Sequence, residues 1–473
     1  MGWARRLGRL VPAGWPVHGV PVVGALLVAN WLVYVDPQAH YDVNVFLRAG
    51  DAVLGGRDPY PTPGTEEVYS GSAFVYPYLM AVLFVPLALL PSGGPELFVG
   101  LSTLAVLAGC GLAGARSWRV YALVPVASCA ITGLQHGTLS PLLFAGSAML
   151  WRLRDQPVPA GLVAALLAYS KLFLLPVALW LLVTGRYRAT ATCGAALVVL
   201  FAVTELVSPV GLGTYVGMLD ALAREEAPDG LALTGLLLNA GLGPAASWAA
   251  RAVAGGLLVA CLLRSARPTA APGGDDDGRD GPGGAAASWP GDERLMFAAT
   301  VAAALLASPI VWSHYLLLLA APLLVLNPGG DAAAAVATIA SWLLVTPHLT
   351  TAARLAVTVA VLAALTAEPL AATTRGVASS RPSWRALAVG AGAVLARPAG
   401  GAGWGGAAGP RHAEGRVTGA HLTLLAALAL LGWAAHRASG ETYRSGTEKH
   451  GRPRRGPVGD PDHRGRAGQP VGD

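Results

Sequence analysis

Hydrophobic residues in this chain come in long blocks separated by short polar breaks. Apolar blocks run over 17–35, 74–91, 95–114, 119–134, 137–151, 157–184, 189–207, 246–263, 294–307, 314–327, 332–347 and 350–367. They lack the polar face that a helix on a soluble protein presents to water. Such blocks predict helices that bury on every side, and about 20 residues suffice to cross a bilayer. Several are shorter, which predicts tilted or broken helices. Only helices and closed barrels satisfy their backbone in lipid. The expected fold is therefore all-α, a polytopic transmembrane helical bundle, with 17–367 as its main module. A weaker pair of blocks, 384–396 and 420–436, makes 368–436 a region of further membrane segments.

Two breaks are long. Residues 36–73 hold six acids against Arg48 and Arg57, and form a large first loop. Residues 264–293 are rich in Gly, Pro and Asp and predict a disordered linker within the module. Arg5, Arg6 and Arg9 mark 1–16 as a cytoplasmic N-terminus, and 437–473 reads as a disordered basic tail. The first block runs into Val35-Asp36-Pro37 with no small-x-small site, so it is expected to stay as an uncleaved span. Counting crossings from the inside puts 36–73, 208–245 and 308–314 outside, and 264–293 inside. The same count lands Arg116, Arg119, Arg152 and Arg154 outside, against the positive-inside tendency. Either those arginines face phosphate, or 119–151 and 157–184 contain re-entrant pieces.

Composition sharpens the membrane reading. Of 473 residues, 54% are hydrophobic and 13% charged, where a soluble protein carries about 25% charged. The net charge of +6 sits mostly at the two ends and gives no nucleic-acid footprint. Cys110, Cys129, Cys193 and Cys261 lie in apolar stretches with no CxxC, and read as small buried residues. There is no HExxH, cysteine cluster or Walker loop, so neither a metal nor a nucleotide cofactor is expected.

A few polar groups stand out against this background. In HYDVNVFLRAGDAVLGGRDPY, residues 40–60, Val45, Phe46, Ala49, Val53 and Leu54 recur at helical spacing. This helix is expected to lie at the interface with that face toward lipid. Asp42 opens it, and reads equally as a first-turn acid stabilised by the helix dipole or as a working carboxylate. Pro77, Pro86 and Pro91 share one block and hint at a cavity, since prolines free backbone groups that lipid cannot satisfy. Lys171 is alone in the apolar block 157–184. A lysine at that depth costs about 2.5–3.5 kcal/mol on insertion scales, so it forms a structural ion pair or an anion site. Gln135 and His136 make a polar turn or donate to a substrate. Trp312 and His314 stand at an outer edge, where an aromatic is ordinary and a histidine either completes a hydrogen bond or serves a phosphate or a proton.

Taken in order, these residues resemble glycosyltransferase family 87 over about 17–367. The acid Asp42 is followed by Gly55, Gly56, Asp58, Pro59 and Tyr60, then by Tyr76 and Pro77. Next come Gln135 in a turn, Ala160-Gly161-Leu162 before Lys171, and Ser308, Pro309, Trp312 and His314. That family includes polyprenyl-phosphomannose-dependent α-mannosyltransferases of actinobacteria. The resemblance implies a bundle of the GT-C type with a large first extracytoplasmic loop. It implies an inverting transfer of mannose from a polyprenyl-phosphate sugar to a lipid-linked or cell-envelope glycan, at the plasma membrane and on its outer side. Asp42 would be the base and His314 an active-site residue. Lys171, Arg48, Arg57, Gln135, His136, Tyr60 and Trp312 would serve the donor phosphate or substrate. The partners would be that donor, a glycolipid or glycan acceptor and membrane lipids, with no cofactor, metal or nucleic acid. A transporter or flippase for a lipid-linked sugar is the alternative, predicting mid-depth charges in several spans and internal repeats. A non-catalytic scaffold would tolerate loss of Asp42.

Overall fold

The computed structural model describes residues 19–377, apart from 72, 91, 266–292, 328–329 and 345–349. The expected segments 384–396 and 420–436, the N-terminus, the basic tail and nearly all of the linker lie outside the described residues. Within them every regular element is a helix. The helices are α1 (Gly19–Asn30, continued by a π turn at Trp31–Val35), α2 (Tyr41–Leu54), α3 (Tyr78–Ala88) and α4 (Gly94–Leu112). They continue as α5 (Trp118–Leu123), α6 (Ser128–His136), α7 (Ser140–Leu153), α8 (Pro157–Ser170), α9 (Pro176–Val183) and α10 (Tyr187–Val207). The last are α11 (Leu212–Glu226), α12 (Leu233–Asn239), α13 (Ala245–Ser265), α14 (Glu293–Ala307), α15 (Ala320–Leu326), α16 (Asp331–Leu344) and α17 (Ala352–Val377). By length and composition, Gly94–Leu112, Tyr187–Val207 and Ala245–Leu263 are able to cross a membrane. This is a helical membrane bundle.

Several apolar blocks are not single helices. Block 74–91 is helical only from Tyr78, after Pro77 in an extended conformation (ψ 145°). Block 119–134 is split between α5 and α6. Block 157–184 breaks at Lys171, whose φ of −144° and ψ of 103° are extended. A 3-10 turn at Leu172–Leu174 follows, then α9. Pro176 has no N–H to return to the Leu172 carbonyl, which costs a helix running through it about 3 kcal/mol.

Polar bonds fix which ends of these helices meet. Arg186 Nη2 donates to Asp155 Oδ1 at 2.8 Å and to Glu293 Oε1 at 2.8 Å. Its Nε donates to the Arg154 carbonyl at 2.9 Å, and Arg154 Nε donates to Glu293 Oε2 at 3.2 Å. The end of α7 and the starts of α8, α10 and α14 therefore share one charged end of the bundle. Block 157–184 leaves that end and returns to it. It is a re-entrant hairpin, and Lys171 is its tip, about 21 Å along α8 at 1.5 Å per residue. Of the two readings left open for this block, the re-entrant one holds, and the crossing count that treated it as a span is corrected. That count put Arg154 and residue 293 on opposite sides, whereas Arg154 and Glu293 are bonded to each other.

The opposite end gathers a different set. Gln135 Nε2 donates to the Tyr34 carbonyl at 2.9 Å, joining the close of the first block to α6. The Leu231 amide donates to the Val311 carbonyl at 2.6 Å, and Tyr215 Oη to the Val75 carbonyl at 3.3 Å. These bonds draw the first loop, α11 and the segment after α14 together. Helix α10 runs beside α8 because Gly161 lets them touch: a Cβ there would sit 2.5 Å from the Ala189 carbonyl oxygen. In the core near the charged end, Phe297 packs between Trp151 and Trp180, with ring centroids 5.3 and 5.1 Å away.

Helix α2 corrects a further expectation. Its apolar face does not meet lipid. Val45, Phe46 and Ala49 are buried, and Phe46 stacks on Phe84 of α3 at 4.5 Å. Burying one such side chain stabilises the fold by roughly 1.5–3 kcal/mol. Leu54, at the far end of α2, is exposed as expected. The first loop is thereby clamped to the bundle.

Candidate functional site

The placement of Asp42 begins one turn earlier. His40 precedes α2 with φ 46°, the left-handed region that most side chains avoid. Holding a non-glycine residue there costs on the order of 1–3 kcal/mol. His40 is buried, and its Nδ1 lies 3.1 Å from the Gln135 carbonyl oxygen. On the other side, Gly137 ends α6 with φ 66°, and a Cβ at Gly137 would come within 2.7 Å of Val43 Cγ1. The first turn of α2 is thus seated on the end of α6. Asp42, in that turn, is half-buried. Burial pushes its carboxyl up to about 6, and the nearby Lys171 ammonium pulls in the other direction.

Lys171 reaches the same place from the hairpin tip. Its Nζ donates to Tyr315 Oη at 2.7 Å. It also lies over the Tyr76 ring, 4.2 Å from the centroid, and 4.9 Å from that of Tyr315. Such contacts steady a cation where water is scarce without neutralising it. An ammonium has three N–H donors, and the tyrosine hydroxyl takes one. No direct ion pair among the described residues ties Lys171 to a carboxylate.

A second carboxylate, absent from the sequence-based candidates, faces this lysine. Glu226 closes α11, and its charge acts on Lys171, as does that of Asp42. Its own carboxyl is pushed up to about 6, first by burial, with Lys171 opposing. Tyr76 and Tyr315 were not among the candidates either. Tyr76 had counted only as part of a Tyr-Pro motif. The one signal for Glu226 is its spacing: Tyr215, Met218, Leu222 and Glu226 fall on one helical face, and the first three are buried.

The structure sorts the expected site residues into three groups. Asp42, Lys171, His314 and His136 come together. His314 is buried against Gly133 of α6, and its ring meets that of Tyr315 edge-on at 4.6 Å. Its electrostatic neighbours are His136 and Lys171. Trp312 borders this group, and its carbonyl accepts from the Tyr315 amide at 2.9 Å.

Gln135 and Tyr60 are turned to the scaffold. Gln135 is buried, and its amide holds Tyr34 as described above. Tyr60 Oη donates to the Tyr76 carbonyl at 2.9 Å, which fixes the loop that carries the Tyr76 ring. Burial raises the Tyr60 hydroxyl above its ordinary range, so it remains a neutral donor.

Arg48 and Arg57 stand apart. Both are exposed, and Arg57 pairs with Asp51. Arg57 follows α2, about 20 Å along it from Asp42. A carboxylate base, an unneutralised cation within 2.7 Å of a phenol, and a buried imidazole can together accept a proton and hold an anion.

Residues 74–274 match the model of glycosyltransferase family 87. The match includes Tyr76, Lys171 and Glu226, while Asp42 and His314 flank it in sequence. No curated protein and no solved structure matches the chain. The match over residues 74–274 supports glycosyltransferase family 87 and, together with the helical bundle, a membrane glycosyltransferase.

Proposed function

We propose that the chain transfers a sugar, mannose in the family resemblance, from a polyprenyl phosphate to a hydroxyl of a lipid-linked or cell-envelope glycan. The carrying observation is a convergence of elements: the α2 turn that bears Asp42 and the segment that bears His314 both sit on α6, and Lys171 from the hairpin tip bonds Tyr315 beside His314. The acceptor oxygen attacks the anomeric carbon from the face opposite the phosphate. The new C–O bond forms as the bond to phosphate breaks, so the configuration inverts. Asp42 takes the hydroxyl proton, an assistance worth typically 10²–10⁴-fold. The departing phosphate keeps the bonding pair, and its charge falls to the Lys171 ammonium and to His314. A phosphate carried on a lipid arrives at the depth where the hairpin tip holds its cation.

The positive-inside tendency supports an outward-facing site at the plasma membrane. Arg152, Arg154, Arg186, Arg188 and Arg294 belong to the charged end, and Asp42 to the other.

The test is sugar transfer by membranes supplied with polyprenyl-phosphomannose, comparing wild type with Asp42→Asn at equal expression. Transfer by the wild type, with loss of at least 10² in the variant and donor binding retained, is the expected result. Equal transfer by both removes Asp42 as the base. No transfer by either, with movement of the donor across the bilayer, points instead to a flippase.

A further inference from the structure

An apolar helix face that ends in a half-buried acid calls for a reason. Along α11, Tyr215, Met218 and Leu222 are buried, while Arg224 and Glu225 next to the end are exposed. Glu226 returns to the buried face and is half-buried. The chain then holds it in place. The amides of Asp229 and Gly230 both donate to the Glu226 carbonyl at 3.1 Å. The following Leu231 amide bonds the Val311 carbonyl at 2.6 Å, three residues before His314. At the other end of α11, Tyr215 is bonded to Val75, beside Tyr76. Glu226 therefore approaches Lys171 from the α11 side, and Asp42 approaches it from the α2 side.

One lysine does not need two carboxylates, and neither is paired to it directly. If the donor phosphate sits at Lys171, the sugar it carries is delivered between α2 and α11, the two helices that bring the acids. A carboxylate is an acceptor only, with room for two hydroxyl donors. Resting on the transferase reading, we propose that Glu226 binds a hydroxyl of the transferred sugar and orients its anomeric carbon, leaving Asp42 to take the acceptor's proton. Glu226 is then a determinant of which sugar is used, a role the family match does not assign to any residue.

The experiment uses the full chain in membranes, with polyprenyl-phosphomannose and its monodeoxy analogues as donors. Wild type is compared with Glu226→Ala, Glu226→Gln and, as an exposed control, Glu225→Gln. A charged hydrogen bond to a hydroxyl is worth roughly one to two decades in kcat/KM. Glu226→Ala is expected to lose roughly 10–100-fold with the parent donor. On one deoxy donor, and no other, that loss should vanish, because the hydroxyl it served is gone. Glu226→Gln keeps an acceptor oxygen and nearly the same shape, and should show the same hydroxyl dependence with a smaller loss. It carries the test if the alanine variant does not fold.

A loss equal on every donor overturns the proposal, since a structural role has no hydroxyl preference. Full activity in both variants overturns it too. When wild type transfers and Asp42→Asn does not, those outcomes sink the Glu226 assignment alone. If the wild type transfers no sugar, the transferase reading falls and this inference falls with it.

Discussion

The two ends of the bundle treat charge in opposite ways. At the charged end, Arg154 and Arg186 are matched to Asp155 and Glu293, with donors on oxygens at 2.8–3.2 Å. Arg154 also lies over the Trp151 ring at 4.2 Å. Those groups hold four helix ends together. At the other end, two acids and one lysine share a field but no direct pair, and the lysine rests on aromatic faces and a phenol. A paired network suits architecture. An open one leaves charge for something that arrives. Half-paired charge away from water costs free energy, and a fold that keeps it at one end, with Arg154 and Arg186 held on carboxylates at the other, marks where chemistry belongs.

Substitutions can break this contrast. After Asp42 itself, the largest effect is expected from Lys171→Gln. Removing the cation should raise the KM for the polyprenyl-phosphate donor by roughly 10–100-fold, as loss of a charge-assisted contact does. It should also move the acid limb of the rate profile to higher pH, because Lys171 is what opposes the upward shift of Asp42. Initial rates across donor concentration and pH read both effects.

In the wild type, the base must be ionised to accept a proton. Its carboxyl is raised to about 6, so transfer should be full at neutral pH and fall about tenfold per unit well below 6. Glu226 titrates in the same range, so Glu226→Gln should make that limb shallower. A limb near the ordinary carboxylate value, around 4, would place Asp42 in water and undo the comparison.

Gly137→Ala tests the seat of Asp42 with no charge changed. The left-handed backbone and the contact at Val43 should cost about 1–3 kcal/mol of stability. The displaced α2 turn should lower kcat by about tenfold, with donor binding kept. Thermal unfolding in detergent and single-turnover transfer separate the two.

The smallest effect on activity is expected from Glu293→Gln. It should lower stability by about 1–3 kcal/mol through lost charged hydrogen bonds, with kcat and KM unchanged. A change in KM there would mean that the two ends are coupled.

Much of this was legible in the chain. Lys171 announces itself because a lone charge in an apolar block must be paired or used. Asp42 is visible because it opens an amphipathic helix beside a span. The apolar spacing of α2 identified a buried face in Val45, Phe46 and Ala49, but periodicity does not say what covers it, and protein covers it here. The hairpin was left open for a related reason. Hydropathy sums two legs into one block, and only Arg186 on Asp155 reveals that the second leg comes back. Glu226 was hidden by its neighbours. Beside Arg224 and Glu225 it reads as one more surface charge, and only its register with Tyr215, Met218 and Leu222 sets it apart.

The hairpin also alters the parity of the chain. Because it enters and leaves at one face, it adds no crossing, and the stretches around Asp155, Arg186 and Glu293 meet the same compartment. Tyr34 and Gln135 likewise meet at one end, so an even number of traverses separates them. Helix α3, with 11 residues and about 16 Å of length, is too short to be one of these by itself. Two apolar blocks that look like spans therefore cancel in the bookkeeping of sides. A reporter inserted near 155 and another near 186 should show identical labelling by a membrane-impermeant reagent, while one in the 208–211 turn should show the reverse.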